Sequence, residues 1–252
     1  MNIIKLQNDV KLAVVGDIHA HSEQFFKIFK QVTPTDKLIF VSVGDLFNKG
    51  FGDSHSELVI DALKPYVKLG QAFVLRGNHE LKLIQKCRQN KEFTEHLWWC
   101  DKQPLAISFE FENQSKVTIV HGGVTPNHTW DDLNFDVETS YVRNVDDQGK
   151  MVPMVWKKDK ENKKFLELEK PGKKWHEVYD GRFGYIISGH DAQRNGVPKF
   201  YNYSCNIDTC CYQTGILTCL IYGSNGQEEL ITATGPAARP LEEWREYLKC
   251  TK

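Results

Sequence analysis

The stretch VKLAVVGDIHAH, residues 10–21, sets an apolar run directly against a glycine, an aspartate and two histidines. The run shows no polar alternation, so it reads as a strand buried on both faces, the pattern of a parallel sheet covered by helices. The same punctuation returns in LIFVSVGD (38–45) and AFVLRGN (72–78). Between these runs, residues 22–32 carry Phe25, Phe26, Ile28, Phe29 and Val32 at helical spacing. Residues 54–69 carry Leu58, Val59, Ala62, Leu63, Val67 and Leu69, closed by Gly70. The order β-α-β-α-β predicts a parallel sheet. Two further helices are expected after Asn78, one through Leu81, Leu83 and Ile84 and one through Phe93, Leu97 and Trp98.

From Leu105 the pattern changes: 105–111 and 117–120 alternate more and are separated by the polar turn 112–115, so a second sheet starts there. Further strands are predicted for it at 185–188, 204–207 and 215–222, the last pairing across the turn 223–226 with 229–233, before Pro240 opens a helix over 241–248. Residues 125–180 are polar and rich in Trp, Asp and Lys, with too few periodic apolar positions for a core of their own. They read as an insertion over one face of a single domain covering residues 1–252, and the fold class is α/β with two sheets.

With 252 residues, 40% hydrophobic and 26% charged, the chain is neither disordered nor fibrous. Lys plus Arg number 32 against 33 Asp plus Glu, and a formal net charge of −1 gives no global electrostatic case for a nucleic acid or an anionic membrane. Any anion site must be local. No apolar stretch reaches the ~18 residues of a spanning helix, and the start MNIIKLQNDV lacks signal-peptide features, so a cytoplasmic location is expected. The seven cysteines include no CxxC pair and read as reduced, buried thiols.

In an open α/β sheet the carboxyl ends of the strands share one edge, where ligands bind. Asp17 and His19, at i and i+2 just beyond a strand, would on an extended backbone point to one side and could grip one metal. Asp45 has two oxygens and can bridge two cations, while the amide oxygen of Asn78 is a weaker hard ligand that adds no charge. His121 in VHGGV and His190 in ISGHD, each at a predicted strand end, would complete a second metal's set. Turn chemistry explains any one such residue but not five ordered strand ends.

Those segments, GDIHAH (16–21), GDLFNKG (44–50), RGNHE (76–80), HGG (121–123) and SGH (188–190), resemble in order the motifs of calcineurin-like metallophosphoesterases. The resemblance implies a two-sheet β-sandwich flanked by helices in four α/β/β/α layers. It implies two divalent metal ions, Mn²⁺ first, with Fe, Zn, Ni or Co as alternatives. Asp17, His19 and Asp45 would hold one, and Asp45, Asn78, His121 and His190 the other, with Asp45 as the bridge. Two divalent cations bring four positive charges and the two carboxylates remove two, so the cavity attracts phosphate, and attack by a metal-bound hydroxide follows without a covalent intermediate. His79 would then lie near the leaving group as a proton donor, a contribution of ~10²–10⁴-fold.

Two positions depart from the phosphoprotein phosphatase form of the second motif, GDxxDRG: Asn48 and Lys49 stand where it has Asp and Arg. Asn48 can orient His79 but cannot stabilise its cationic form as a carboxylate would, and Lys49 meets phosphate as a point charge rather than a fork. The weaker general acid expected from Asn48 suits a leaving group that needs little protonation. Ala20 replaces a motif glycine, from which a backbone with no glycine-only angle is expected there. HGGVTP (121–126), IDTCCYQTGILTCLIY (207–222), TSYVRNVDDQGKMVP (139–153) and WHEVYDGR (175–182) are similar to symmetrical bis(5′-nucleosyl)-tetraphosphatases, although Cys210 and Thr214 replace glycines.

The substrate expected from this is a dinucleoside polyphosphate. The alternatives are a Ser/Thr phosphoprotein, supported by RGNHE, and a weakly active or inactive metal-binding interaction module, suggested by Asn48 and Lys49. Arg143 and Arg76 are candidate phosphate contacts, each weighed against an ion pair with a carboxylate. His21 reads as a surface residue at a helix start, and residues 157–174, with eight Lys against four acidic residues, as a solvated hairpin or loop able to attract polyphosphate. Trp130, Trp156, Trp175 and Tyr179 either stack on a base or pack the insertion.

Overall fold

The computed structural model describes residues 3–153, 156–158, 165–167 and 172–238. Its elements are, in order, β1 (Ile3–Leu6), β2 (Lys11–Val15), α1 (Ser22–Phe29), β3 (Leu38–Ser42), α2 (Asp53–Lys68), β4 (Ala72–Val74), α3 (Asn78–Asn90), α4 (Glu95–Asp101), β5 (Ala106–Phe111) and β6 (Lys116–Val120). There follow α5 (Asp132–Phe135), a 3₁₀ turn (Val137–Ser140), β7 (Asn144–Val145), β8 (Trp156–Lys158), β9 (Phe165–Glu167), β10 (Lys173–Lys174) and α6 (Trp175–Val178). The chain closes with β11 (Tyr185–Ser188), β12 (Lys199–Phe200), β13 (Ser204–Asn206), α7 (Cys211–Thr214), β14 (Ile216–Gly223) and β15 (Gly226–Thr234).

Two large sheets form, one in the order β15-β14-β2-β3-β4 and one in the order β1-β5-β6-β11-β13-β12. Strands β2, β3 and β4 are parallel, as the β-α-β-α-β reading requires. Successive residues of β2 face opposite ways: Leu12 and Val14 enter the cluster between the sheets, while Ala13 and Val15 enter the one beneath the helices. Both faces of the strand are dry, which is why its sequence shows no alternation.

The layers run from the helices (Phe25, Ile28, Val59, Ile60 and Leu63) through the five-stranded sheet to an inter-sheet core of Val41, Phe109, Val117, Ile119, Ile187 and Ile207. On the far side of the second sheet, Leu133, Val142, Val145 and Trp175 from the 125–180 segment pack against Ala106, Val120 and Ile186. This is the expected four-layer α/β/β/α arrangement.

Two strand placements differ from the sequence reading. The hairpin β14-β15 belongs to the first sheet, with β14 antiparallel to β2, and not to the second. Strand β1 was not expected, because four residues between polar neighbours give no usable pattern, yet it pairs in parallel with β5 as the edge of the second sheet. Strands β8 and β9 form a short antiparallel ribbon within the Lys-rich run, most of which lies outside the described residues. The helix expected over 241–248 and the side chain of Trp156 also lie outside them. Six cysteines are described and all six are free. Among the described residues no helix is long and apolar enough to cross a membrane.

Phe109 is fully buried between the sheets. Phe109→Ala is expected to lower the unfolding free energy by about 3–5 kcal/mol, read from urea denaturation with the far-UV spectrum of the native state unchanged.

Candidate metal centre

The turns that follow β2, β3, β4, β6 and β11 bring Asp17, His19, Asp45, Asn78, His121 and His190 together, all of them buried. Asp45 sits at the hub. Its Oδ2 lies 3.5 Å from His19 Nε2 and 3.9 Å from His79 Nε2, and its Oδ1 lies 3.3 Å from His121 Nε2. On the other side, the end of the Asn78 amide lies 3.1 Å from His121 Nε2 and 2.8 Å from His190 Nδ1. Asp17 Oδ2 is 3.8 Å from His19 Nε2, and its carboxylate accepts from the His190 backbone N–H at 3.1 Å. Residues 17 and 190 therefore meet at one centre.

The proton positions show what such a pocket can hold. His19 Nδ1 bonds the carbonyl of Phe47 at 3.0 Å and His121 Nδ1 bonds that of Val43 at 3.0 Å. A carbonyl only accepts, so both Nδ1 atoms carry the proton and both Nε2 atoms turn a lone pair toward Asp45. Lone pairs facing carboxylate oxygens with no proton between them repel unless a positive charge lies among them. The bare protein partly answers by protonation: burial opposes charge on His121, but Asp45 and Asp17 outweigh it and push this histidine up to about 9. His19 goes the other way, well below its usual range, through burial and the neighbouring Lys49. The donor set of carboxylate, amide oxygen and imidazole fits divalent cations. Two groups of donors, His19-Asp45-His79 and Asp45-His121-His190, share Asp45.

The backbone is bent to achieve this. Positive φ is found at His19 (45°), Ala20 (57°), Asp45 (53°), Asn48 (66°), Lys49 (60°) and His190 (68°). The extended Asp17-Ile18-His19 geometry expected from the sequence is thus replaced by a left-handed turn, and Ala20 carries the positive φ that a glycine would take without strain. Two glycines are needed for closeness instead. A Cβ on Gly77 would collide with the Asp45 carboxylate, and one on Gly189 with that of Asp17.

Glu80 was given no role from the sequence, yet it ties the second and third motifs together. Its carboxylate accepts from the backbone N–H of Asp45 (2.8 Å), Leu46 (2.8 Å), Phe47 (3.2 Å) and Gly77 (2.8 Å). The last of these is the glutamate half of a capping box, since Glu80 at the third position of α3 caps the backbone N–H of the N-cap Gly77, a signal that RGNHE contained. Burial, reinforced by Asp45, pushes its acid up to about 7 even with these donors. Asp45 itself takes the His79 N–H at the N-terminus of α3 (2.9 Å). Burial works against its charge, but His121 and the neighbouring histidines hold it well below the usual carboxylate range. Asp208 was also missed: burial holds its acid up, and its charge helps hold up that of Asp17.

Beside the centre opens a cleft of about 580 Å³, lined by Lys49, Asn78, His79, Lys82, Tyr141, Arg143, His190, Asp191, Arg194 and Tyr212 among others. Lys49 Nζ lies 3.2 Å from His19 Nε2 and 4.6 Å above the Tyr212 ring. Arg143 Nη2 donates to the His190 carbonyl at 2.9 Å, and its Nε approaches Asp191 at 3.8 Å. Asn48 lies beside Lys49, and among the described residues no hydrogen bond joins its side chain to His79.

Other candidates fall outside this cleft. Arg76 pairs with Asp101 at 3.5 Å and does not line it. His21 is buried rather than exposed and bonds the His19 carbonyl at 2.7 Å. Trp175 donates to the Gly122 carbonyl at 3.2 Å beneath the HGG turn, and Trp130 and Tyr179 pack around Phe183.

The sequence pattern of calcineurin-like phosphoesterases matches residues 10–194, nearly three quarters of the chain and every turn described above. The chain belongs to the calcineurin-like phosphoesterase family. Among proteins of that kind, it is 24% identical over 157 residues to the Saccharomyces cerevisiae serine/threonine-protein phosphatase 4 catalytic subunit, covering 60% of this chain and 50% of that one. The Candida glabrata counterpart is 24% identical over 155 residues, covering 59% and 49%. The chain thus spans about half the length of the curated relatives it matches. Among solved structures, one described as a "putative diadenosine tetraphosphatase" aligns over 93% of this chain and 98% of that one with a TM-score of 0.68 at 22% identity. A protein serine/threonine phosphatase from Saccharomyces cerevisiae aligns over 93% and 84% with a TM-score of 0.58 at 17% identity. At these identities the two structures establish the calcineurin-like phosphoesterase fold.

Glu80→Gln places an amide NH₂ among four backbone donors and removes the charge that accepts them. The expected cost is about 1.5–3 kcal/mol, read as a lower urea midpoint. Gly77→Ala, which drives a methyl group into Asp45, is expected to cost at least as much.

Proposed function

We propose that this chain is a metal-dependent hydrolase of phosphoanhydride bonds, and that its substrate is a dinucleoside polyphosphate or a related nucleotide. Asp17, His19 and Asp45 would hold one divalent cation, and Asp45, Asn78, His121 and His190 a second. Bound there, the two cations supply Lewis acidity toward phosphoryl oxygens and a nucleophile at neutral pH. Lys49 and Arg143 reach into the cleft from opposite sides, one beside His19 and one beside His190, and are assigned to the oxygens of the phosphoryl group under attack.

The observation that carries the choice of bond is the environment of His79. Burial lowers this histidine to about 4, Asp45 only partly opposes it, and Lys49 and Lys82 lower it further. Cations bound next to Asp45 act in the same direction. Where a carboxylate would favour the imidazolium form, the second motif supplies Asn48. At neutral pH His79 is thus an uncharged group beside the reaction, able to orient but a poor source of protons. A phosphoanhydride leaves as a stabilised phosphate and needs little proton donation; a serine or threonine alkoxide needs much. The cationic cleft suits a substrate with several phosphates for the same reason.

A second reading, Ser/Thr protein phosphatase, is favoured by the relatives, which are catalytic subunits of that kind at 24% identity. The comparison is direct: with Mn²⁺ restored, kcat/KM for diadenosine tetraphosphate is expected to exceed that for a phosphoserine peptide at least tenfold, and EDTA to abolish both. A peptide cleaved faster would reverse the assignment, and no EDTA-sensitive turnover of either would leave a metal-binding interaction module.

Asp45→Asn is expected to lose both metals by elemental analysis, together with the rise in melting temperature that Mn²⁺ gives the parent chain. Asn48→Asp is expected to speed hydrolysis of an alkyl phosphate more than that of the anhydride, since only the former waits on a proton.

A further inference from the structure

The helix that delivers Asn78 and His79 also delivers Lys82, one turn along α3. Residues four apart share a helix face and lean toward its N-terminus, so the Lys82 ammonium projects back over the centre. Lys82 Nζ lies 3.2 Å from the outer atom of the Asn78 amide: turned one way the amide oxygen accepts from the ammonium, and with that oxygen turned inward as a cation ligand Lys82 loses this acceptor. The ammonium also lies over the Tyr141 ring, 5.8 Å from its centroid.

The remaining cations of the cleft differ in this respect. Lys49 meets His19, Arg143 meets the His190 carbonyl, and Asp191 is taken by Lys174 at 2.8 Å. Among the described residues no carboxylate stands within ion-pair distance of Lys82; the Asp45 charge attracts it, and Lys49 and Arg143 repel it. The lining thus offers four cationic side chains, Lys49, Lys82, Arg143 and Arg194, against the single carboxylate of Asp191. One phosphoryl group cannot use them all.

We infer that Lys82 is a specificity-determining residue, whose ammonium binds the phosphoryl group adjoining the one under attack and so selects a chain of phosphates over a single phosphate ester. This rests on the phosphoanhydride reading above and adds to it the residue that measures the length of the phosphate chain. A charged hydrogen bond of this kind is worth about tenfold in affinity or more.

The test uses the full chain reconstituted with Mn²⁺, as parent, Lys82→Met and Lys82→Arg. Lys82 is exposed, so neither substitution threatens the core. Tripolyphosphate and orthophosphate are titrated calorimetrically, and kcat/KM is measured for diadenosine tetraphosphate and p-nitrophenyl phosphate. In Lys82→Met the preference for tripolyphosphate over orthophosphate is expected to fall about tenfold, and the ratio of the two kcat/KM values likewise, with most of each restored by Lys82→Arg. Equal losses for both members of a pair, no loss, or a loss of bound metal in Lys82→Met would each overturn the proposal. The parent's choice between diadenosine tetraphosphate and phosphopeptide tests the underlying reading separately, because it does not involve the variants.

Discussion

One buried carboxylate organises the centre. Asp45 receives an N–H from the start of α3, faces three imidazole Nε2 atoms, and is kept ionised above all by His121 in a place where burial alone would neutralise it. A lone buried carboxylate is costly, so everything around Asp45 must either donate to it or bring positive charge. That requirement explains the helix N-terminus aimed at it, the glycine that lets α3 approach, and Glu80, whose four N–H bonds fix the loop on which Asp45 rides.

The loops accept strain for this. Seven of the nine non-glycine residues with positive φ (His19, Ala20, Asp45, Asn48, Lys49, His190 and Cys210) lie in motif loops or in the segment that carries Tyr212. Each costs roughly 1–2 kcal/mol relative to an ordinary backbone. Such angles persist only where the surroundings fix them, and here the surroundings are two sheets packed through Phe109, Val41 and Ile187, with helices locked onto the outer face. The rigid sandwich is what allows residues 173 positions apart, Asp17 and His190, to share a hydrogen bond.

How far the sequence reveals this depends on the kind of information involved. Strands β2, β3 and β4 were legible because runs dry on both faces have a composition of their own, and the six candidate ligands could be named, and are found together, because they stand at strand ends that share one edge. The partner of β14 was not legible, since its choice between two sheets depends on contacts with β2 some 200 residues away. The turn at His19 and Ala20 was misread, because alanine in a left-handed position leaves no mark on residue type. Arg76 and His21 were ambiguous for the same reason: only packing decides that the first turns to Asp101 and the second inward to the His19 carbonyl. Glu80 was the avoidable omission, because a glutamate at the third position of a helix that begins with the site residues is itself a capping signal.

The two departures in the second motif have one electrostatic consequence. Exchanging the motif's Asp for Asn48 removes a negative charge from the second motif, and exchanging its Arg for Lys49 replaces a flat fork by a compact ammonium that meets His19 and Tyr212. With Lys82 on the other side, His79 lies between cations, so its proton is lost more easily while anionic oxygens are held more strongly. An enzyme arranged this way gives up acid catalysis and gains attraction for negative charge. Such an exchange favours a departing group that is already a good one and a substrate with more than one phosphate, which is the ground on which a phosphoanhydride is proposed.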